Sequence, residues 1–350
     1  MSQPTIFDLE HYPLPPEPRR RRPGRIVALV LVLVVLGGAG LWAVSNRQYI
    51  ADQIVVWNYT SNADIDGYIA RSTMTEKGAF LFTASAPEIV SGEVFDEVCG
   101  SGEEGTGVLG CYLPRTKTIS LYEVTDDRLD GIEDVVASHE MLHAAWDRMS
   151  QQERSDLEPL LETEAAALAG DAAFVARMEL YDRTEPGERG NELHSIIGTE
   201  YAAISPELET YYADFFDDRA ALVALHTTSN AVFVDLEAKS TALVAELDAL
   251  RTGIEADYDS YNAGYDQLNR DITDFNADAN GGAFTSNAQF TRAKNALTAR
   301  RDDLDALYDS IQQRSDAFDA KAIELESLNA EAAELNTNLN IVPRSEPALE

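Results

Sequence analysis

The chain has two cysteines, five histidines, and 27 lysines and arginines against 61 aspartates and glutamates. Each scarcity excludes something. Two cysteines allow one pairing at most. A formal net charge of −34 repels phosphate backbones and anionic lipid, so nucleic acid is excluded as a partner. Acidity of this kind ordinarily marks a solvated surface, and it favours cationic partners. Proline is absent from residue 229 until Pro343, where the composition changes character. With 350 residues and 45% hydrophobic content there is still material for one or two globular domains and a sizeable core.

The few basic residues are clustered. Arg19, Arg20, Arg21, Arg22 and Arg25 stand directly before "IVALVLVLVVLGGAGLWAV", an uncharged run over residues 26–44. That length is close to the roughly 20 residues needed to cross a bilayer core. Ala43-Val44-Ser45 faintly resembles a signal-cleavage site, but a signal h-region is shorter, about 7–15 residues. The run is therefore read as a retained transmembrane helix over 26–45. The arginines place the N-terminus inside and everything after residue 46 outside, as a single-pass protein of the cell membrane. Residues 1–25, Pro/Arg-rich, are expected to be a short cytoplasmic tail.

Cys99 and Cys111 both fall in the expected exterior part and bracket "GSGEEGTGVLG", a glycine-rich stretch with little to pack. A disulfide between them is the preferred reading, over free thiols or zinc ligands at an unusual spacing. Upstream, residues 47–58 and 62–73 read as short helices, "GAFLFTAS" as a strand, and Pro87 as the opening of another helix. "VLGCYLPRTKTISLYEV" reads as a β-hairpin turning at Pro114-Arg115-Thr116-Lys117. Further helices are expected over "DLEPLLETEAAALAG", "NELHSIIGTEYAA" and "SPELETYYADFFDDRAALVAL", the last capped by Ser205 with Pro206 behind it. Beyond residue 228 apolar residues step by threes and fours in two runs, Leu243 to Phe275 and Leu297 to Leu335, around "NADANGGAFTS". Two such runs about a glycine-rich turn predict an antiparallel coiled-coil hairpin over 229–340, with a disordered tail at 341–350. Asn276, Asp278, Asn280 and Gly281 mimic the start of a calcium loop, but position 12 is Asn287 where a bidentate Glu is needed. Ordinary turn chemistry accounts for them.

The densest chemistry lies in "DVVASHEMLHAAWDRM". Ile132, Val135, Val136, His139, Leu142, His143 and Trp146 fall on one helical stripe, so both histidines sit on the apolar face. His139-Glu140-Met141-Leu142-His143 fits H-E-x-x-H. Residues i and i+4 of a helix stack, so two imidazoles can reach one Zn²⁺, while Glu140, rotated about 100°, addresses a water held by the metal. Zinc lowers that water's pKa to about 7, and the glutamate takes its proton. The competing account is two neutral core histidines satisfied by hydrogen bonds. A third protein ligand is required, and Glu192, His194, Glu200, Glu162 and Glu164 compete for the role. Glu192, early in its helix, is preferred; His194 then becomes a candidate supporting or oxyanion-stabilising donor. Gly198 would permit a close helix approach nearby.

HEMLH followed by a glutamate on a later helix resembles the gluzincin class of zinc metallopeptidases. The resemblance covers about residues 78–203. It implies a Glu third ligand, often in an Asn-Glu pair such as Asn191-Glu192, and a substrate strand adding to the edge of the preceding hairpin. The chain departs from the class where an Asp is common four residues after that Glu: position 196 is Ile, and position 166, beside the rival glutamates, is Ala. The expected fold is mainly α with a small β-sheet, an α+β zincin-like domain over 47–228. Two functions follow. One is a membrane-anchored peptidase acting on a protein or peptide outside the membrane, its hairpin docking a protein partner. The other is a non-catalytic envelope scaffold that uses the hairpin alone. Behind both stands hydrolysis of a non-peptide amide of the cell wall. A spent scaffold has no need of Glu140, and the chain retains it.

Overall fold

The computed structural model describes residues 23–100 and 109–339. The expected tail up to residue 22, the stretch 101–108 between the cysteines and the C-terminal segment from 340 lie outside the described residues. The chain is mostly helical, with one small sheet. It divides into two compact units, one ending at Ile54 and one beginning at Val55. The first holds α1 (Pro23–Ser45) and most of α2 (Arg47–Asn58). Within α1 the run Val27–Ser45 is long and apolar enough to cross a membrane, and its leucines and valines are exposed along its length.

The second unit begins with α3 (Ala63–Arg71) and α4 (Glu76–Thr83). The stretch expected as a strand, "GAFLFTAS", is thus mostly helix α4. The Thr75 hydroxyl accepts from the Gly78 amide and starts the helix, and Leu81 and Phe82 are buried from it. Local capping and burial outweigh the aromatic, strand-like composition. Pro87 does not open a helix. It leads into β1 (Glu88–Val90), and α5 (Gly92–Cys99) starts only after Ser91. The expected hairpin is present as β2 (Gly110–Leu113) and β3 (Thr118–Tyr122) around a four-residue turn. Sheet order is β1-β3-β2, with β1 parallel to β3 and β2 antiparallel to it, Cys111 opposite Ser120. Among the described residues, no strand pairs with the other side of β2. A disulfide joins Cys99 at the end of α5 to Cys111 in β2, with Cα atoms 5.8 Å apart.

Helix α6 (Ile132–Arg148) is the centre of the unit, packed on β2, β3, α3, α4 and α9 (Arg189–Glu200). Between α6 and α9 come α7 (Gln151–Ala167), closed at its start by a Ser150/Glu153 capping box, and α8 (Ala172–Thr184), which the apolar pattern left unread. Met141, Leu142, Ala144, Leu193, Ile196 and Ile197 form the fully buried seam between α6 and α9. Gly198 lets that seam close. A Cβ there would lie 2.6 Å from both Leu142 Cδ1 and Tyr212 Cε1. The stretch read as a single helix from Ser205 is two: α10 (Pro206–Tyr212), then α11 from Arg219. The break lets Arg219, 6% exposed, turn back onto the end of α9. Its guanidinium donates to the carbonyls of Tyr201 (2.7 Å) and Ala202 (3.1 Å) and pairs with Glu209. Carbonyls left unpartnered as α9 ends are so satisfied.

Two long helices complete the unit, α11 (Arg219–Gly281) and α12 (Asn287–Asn338). Lys321 meets Glu246, Arg314 meets Asp257 and Arg300 meets Asp271, so α12 returns along α11. Asn276 to Gly281, weighed as a calcium-loop start, are the last helical residues of α11. The expected boundary at 228/229 falls inside α11. At the other end, Leu236, Leu335 and Leu339 share a core with Leu129, packed against Leu109, Val124 and Ile132. Asn338 donates to Asp126 (2.8 Å), and Arg128 pairs with Glu334 (3.2 Å). The long helices are rooted beside the sheet.

Candidate metal centre

One turn of α6 separates His139 from His143, and their rings meet edge to face with centroids 4.6 Å apart. From the neighbouring α9, Glu192 reaches both: Oε1 lies 3.4 Å from His143 Nε2 and Oε2 lies 3.9 Å from His139 Nε2. One ligand atom from each residue falls within 4.8 Å of the others, so the three can hold one metal ion. Tetrahedral ligands at about 2.1 Å from an ion stand roughly 3.4 Å apart, the scale seen here.

Three observations fit a cation between these groups. Glu192 is 3% exposed and its Oε2 has no hydrogen-bond partner. Burial, then Glu185 and Glu188, push its carboxyl up to about 8, the mark of an anion lacking a counter-charge. His139 is driven well below its ordinary value, by burial first and then by His143, so its imidazole is neutral, the ligating form. Finally, His143 Nδ1 lies 2.9 Å from Asn191 Oδ1. An amide oxygen only accepts, so Nδ1 carries the proton and Nε2 presents a lone pair towards a carboxylate. Nε2 and the Glu192 carboxyl face each other at 3.4 Å, with room between them for a shared proton or a bound cation.

Glu140 is also buried, at 5% exposure, with Oε2 unpartnered. Burial raises its carboxyl to about 7; nearby His143 pulls the other way, as does the bond it accepts from the Tyr112 amide. That bond places it against the outer edge of β2. Gly110 makes the approach possible, since a Cβ there would stand 2.8 Å from Glu140 Cγ and 2.6 Å from Val136 Cγ1.

The rival ligands are engaged elsewhere. Glu162 pairs with Arg189 (2.8 Å), Glu164 accepts from the Ser205 amide (2.9 Å), and Glu200 bridges Arg177 (2.7 Å) and His226 (3.4 Å). His194 points away from the cluster. Its Nε2 bonds Tyr211 Oη at 2.8 Å, its ring stacks on Tyr212 and lies beside Trp146, and burial pushes its pKa to about 3. It is a neutral core histidine that joins α9 to α10, and the expectation of an oxyanion-stabilising role has no geometric support. Residues that the sequence reading left without a role stand closer. Tyr181 of α8 is half-buried, its phenol held above the ordinary value by burial and then by Glu192. Asp171, whose side chain caps the amides of Ala173 and Phe174, is the signal that would have revealed α8 and with it Tyr181. Ser195 (3.1 Å from His143 Nδ1) and Gly110 complete the set. No protein family, curated protein or solved structure compared with this chain matches it.

Proposed function

We propose that this chain is a membrane-anchored zinc peptidase of gluzincin type, acting on a protein or peptide outside the cell membrane. The observation that carries the reading is the convergence of His139, His143 and Glu192 beside a buried carboxylate, Glu140, that ligates nothing in that set. Two imidazoles and one carboxylate with a fourth position open are the donor set of catalytic zinc. Zinc bound there would supply Lewis acidity, bringing a coordinated water's pKa to about 7 and polarising a carbonyl. With the metal in place, Glu140 would be the general base, its unpartnered Oε2 positioned to take a water's proton and return it to the leaving amine. The outer edge of β2, apart from the Tyr112 amide that Glu140 holds, is available to an extended substrate, whose backbone would pair there. Tyr181, whose phenol Glu192 holds above its ordinary value, is the candidate neutral donor to developing negative charge.

Helix α1 serves as the anchor, with the preceding arginines inside. The Cys99–Cys111 disulfide supports the exterior placement of the second unit, because reducing compartments keep thiols free. The two long helices act as an antiparallel coiled-coil arm that docks a protein partner. A scaffold that uses this arm alone remains the second reading, favoured by the length of α11 and α12. The experiment that separates the two compares two neutralised carboxylates. Glu140→Gln should keep the metal and lose hydrolysis by about 10²–10⁴-fold. Glu192→Gln should lose metal affinity. Metal held as tightly by Glu192→Gln as by the unaltered chain would overturn the assignment, and unchanged hydrolysis in Glu140→Gln would overturn the mechanism.

A further inference from the structure

The buried and half-buried residues of α11 step by alternate fours and threes, from Leu243, Leu247, Leu250 and Ile254 on to Leu268 and Phe275. In α12 the same steps run from Leu297 to Leu335. Charged residues ordinarily flank such a seam on both sides. Here the two flanks differ. On one, Val244, Tyr258, Tyr265 and Ile272 of α11 recur at heptad spacing, each directly after an inward-facing residue, and only Arg251 interrupts the row. Helix α12 adds Tyr308, and these five apolar residues are between 36% and 49% exposed. Tyr258 Oη accepts from Gln312 Nε2 at 3.3 Å, one turn beyond Tyr308. The Tyr261 ring lies 5.9 Å from that of Tyr265 and 5.5 Å from that of Tyr308, so both helices contribute to one side. The opposite flank of α11 carries Glu246, Gly253, Ser260, Gln267 and Asp274.

Acidic residues edge the apolar row. Glu255 stands three before Tyr258, Asp305 three before Tyr308 and Asp319 three before Ala322, each a neighbour on the helix surface. Arg251, and Arg301 in line with Tyr308, are turned to Asp248 and Asp302 of their own helices. We propose that this flank is a docking groove for an amphipathic helix of another protein, its apolar stripe laid on the row and its lysines or arginines meeting the acidic edges. The proposal rests on the reading of the long helices as an arm that docks a protein partner, and it is independent of the metal centre. From Val244 to Ile272 the row runs about 42 Å, which a partner helix of about 28 residues would match. Apolar anchors at helical spacing give such a groove its affinity, and the acidic edges select the sign of what enters it. A second copy of this chain would set Glu255, Asp305 and Asp319 near their own equals, and like charges so placed repel.

The full-length chain in nanodiscs of zwitterionic lipid is titrated with a fluorescent amphipathic peptide of about 28 residues, leucines along one stripe and lysines beside it. Binding is read by anisotropy above that of empty discs, and far-UV circular dichroism monitors the helices. One counterpart peptide carries glutamate for lysine, and another has the same composition in scrambled order. The lysine-flanked peptide should bind about tenfold more tightly than either. Tyr265→Ala and Tyr308→Ala, substitutions that favour helix, should each weaken it by about tenfold, while Ser260→Trp on the opposite flank should leave it unchanged. Equal binding of the scrambled peptide would reduce the effect to net charge and overturn the proposal, as would no binding of the lysine-flanked one. Binding weakened by Ser260→Trp and not by the tyrosine variants would leave the long helices a docking arm and overturn the choice of flank. Self-association of the chain that Tyr265→Ala abolishes would give the groove to a second copy and overturn the choice of partner.

Discussion

Replacing Gly110 by alanine tests how β2 is fitted to α6. Gly110 does not have a left-handed φ, so alanine adopts its backbone without strain and the perturbation is purely steric. Its Cβ would sit 2.6 Å from Val136 Cγ1 and 2.8 Å from Glu140 Cγ, against a comfortable carbon contact of about 3.5–4.0 Å. The strand and helix must therefore part by about 1 Å. Overpacking of this kind costs about 1–3 kcal/mol, and the stiffer unfolded chain offsets about 0.4–1 kcal/mol of it. The net loss is about 0.5–2 kcal/mol, a fall in melting temperature of roughly 1–4 °C for a unit of this size. Val136→Ala removes the nearer clash. Alone it should cost about 1 kcal/mol for the methyl groups lost, and combined with Gly110→Ala it should recover part of the damage. Urea unfolding of the two single variants and the double gives the coupling, expected at about 0.5–3 kcal/mol. Metal affinity should change little, since the atoms nearest the added Cβ belong to Val136 and Glu140, whereas the proposed hydrolysis should fall as Glu140 is displaced. If the two substitutions add within about 0.5 kcal/mol, the close fit is not what holds β2 to α6.

Three other outcomes are expected. Leu335→Ala should cost about 2–5 kcal/mol and speed amide exchange around Leu129 and Ile132, because these residues share one core; exchange rising only within α11 and α12 would contradict it. Tyr181→Phe should lower kcat of the proposed hydrolysis by about 10²-fold with metal affinity intact, and an unchanged kcat would remove Tyr181 from the reaction. Reducing Cys99–Cys111 should lower stability by about 3 kcal/mol in urea unfolding, and coincident oxidised and reduced curves would show that the closed loop contributes nothing.

What could be read from the sequence was written in short range. The i, i+4 histidines, the four-residue turn between β2 and β3, the apolar run in α1 and the spacing of Cys99 and Cys111 all depend on neighbours along the chain, and the structure places each as its pattern implies. Where two local signals conflicted, the louder one misled. The aromatics of "GAFLFT" favour a strand, yet one hydroxyl, Thr75, starts a helix that tertiary burial then holds. Helix α8 carries little apolar periodicity and went unread, although Asp171 caps it; Tyr181 went with it. Glu192 was separable from its rivals only by its helix position and its Asn-Glu pairing. The decisive facts, Arg189 on Glu162 and Arg177 on Glu200, are contacts no spacing reveals.

The same distinction explains the long helices. Their apolar steps imply a coiled-coil hairpin, and the ion pairs along them bring α12 back beside α11, but a repeat is silent about what its ends meet. Leu236 and Leu335 belong to those steps and are spent instead on Leu129, with Leu109 packed alongside. Leu109 immediately precedes Gly110, which touches Glu140, and Cys111, which is tied to α5. Three consecutive residues thus bind one strand to the root of the long helices, to the helix bearing the histidines, and to the disulfide. A strand of four residues is otherwise a weak element, since no described strand pairs with its outer edge and it is marginal on hydrogen bonds alone. Fixing it from three directions holds the Tyr112 amide against Glu140. On the proposed mechanism, that keeps the base aimed and leaves the rest of the edge to substrate.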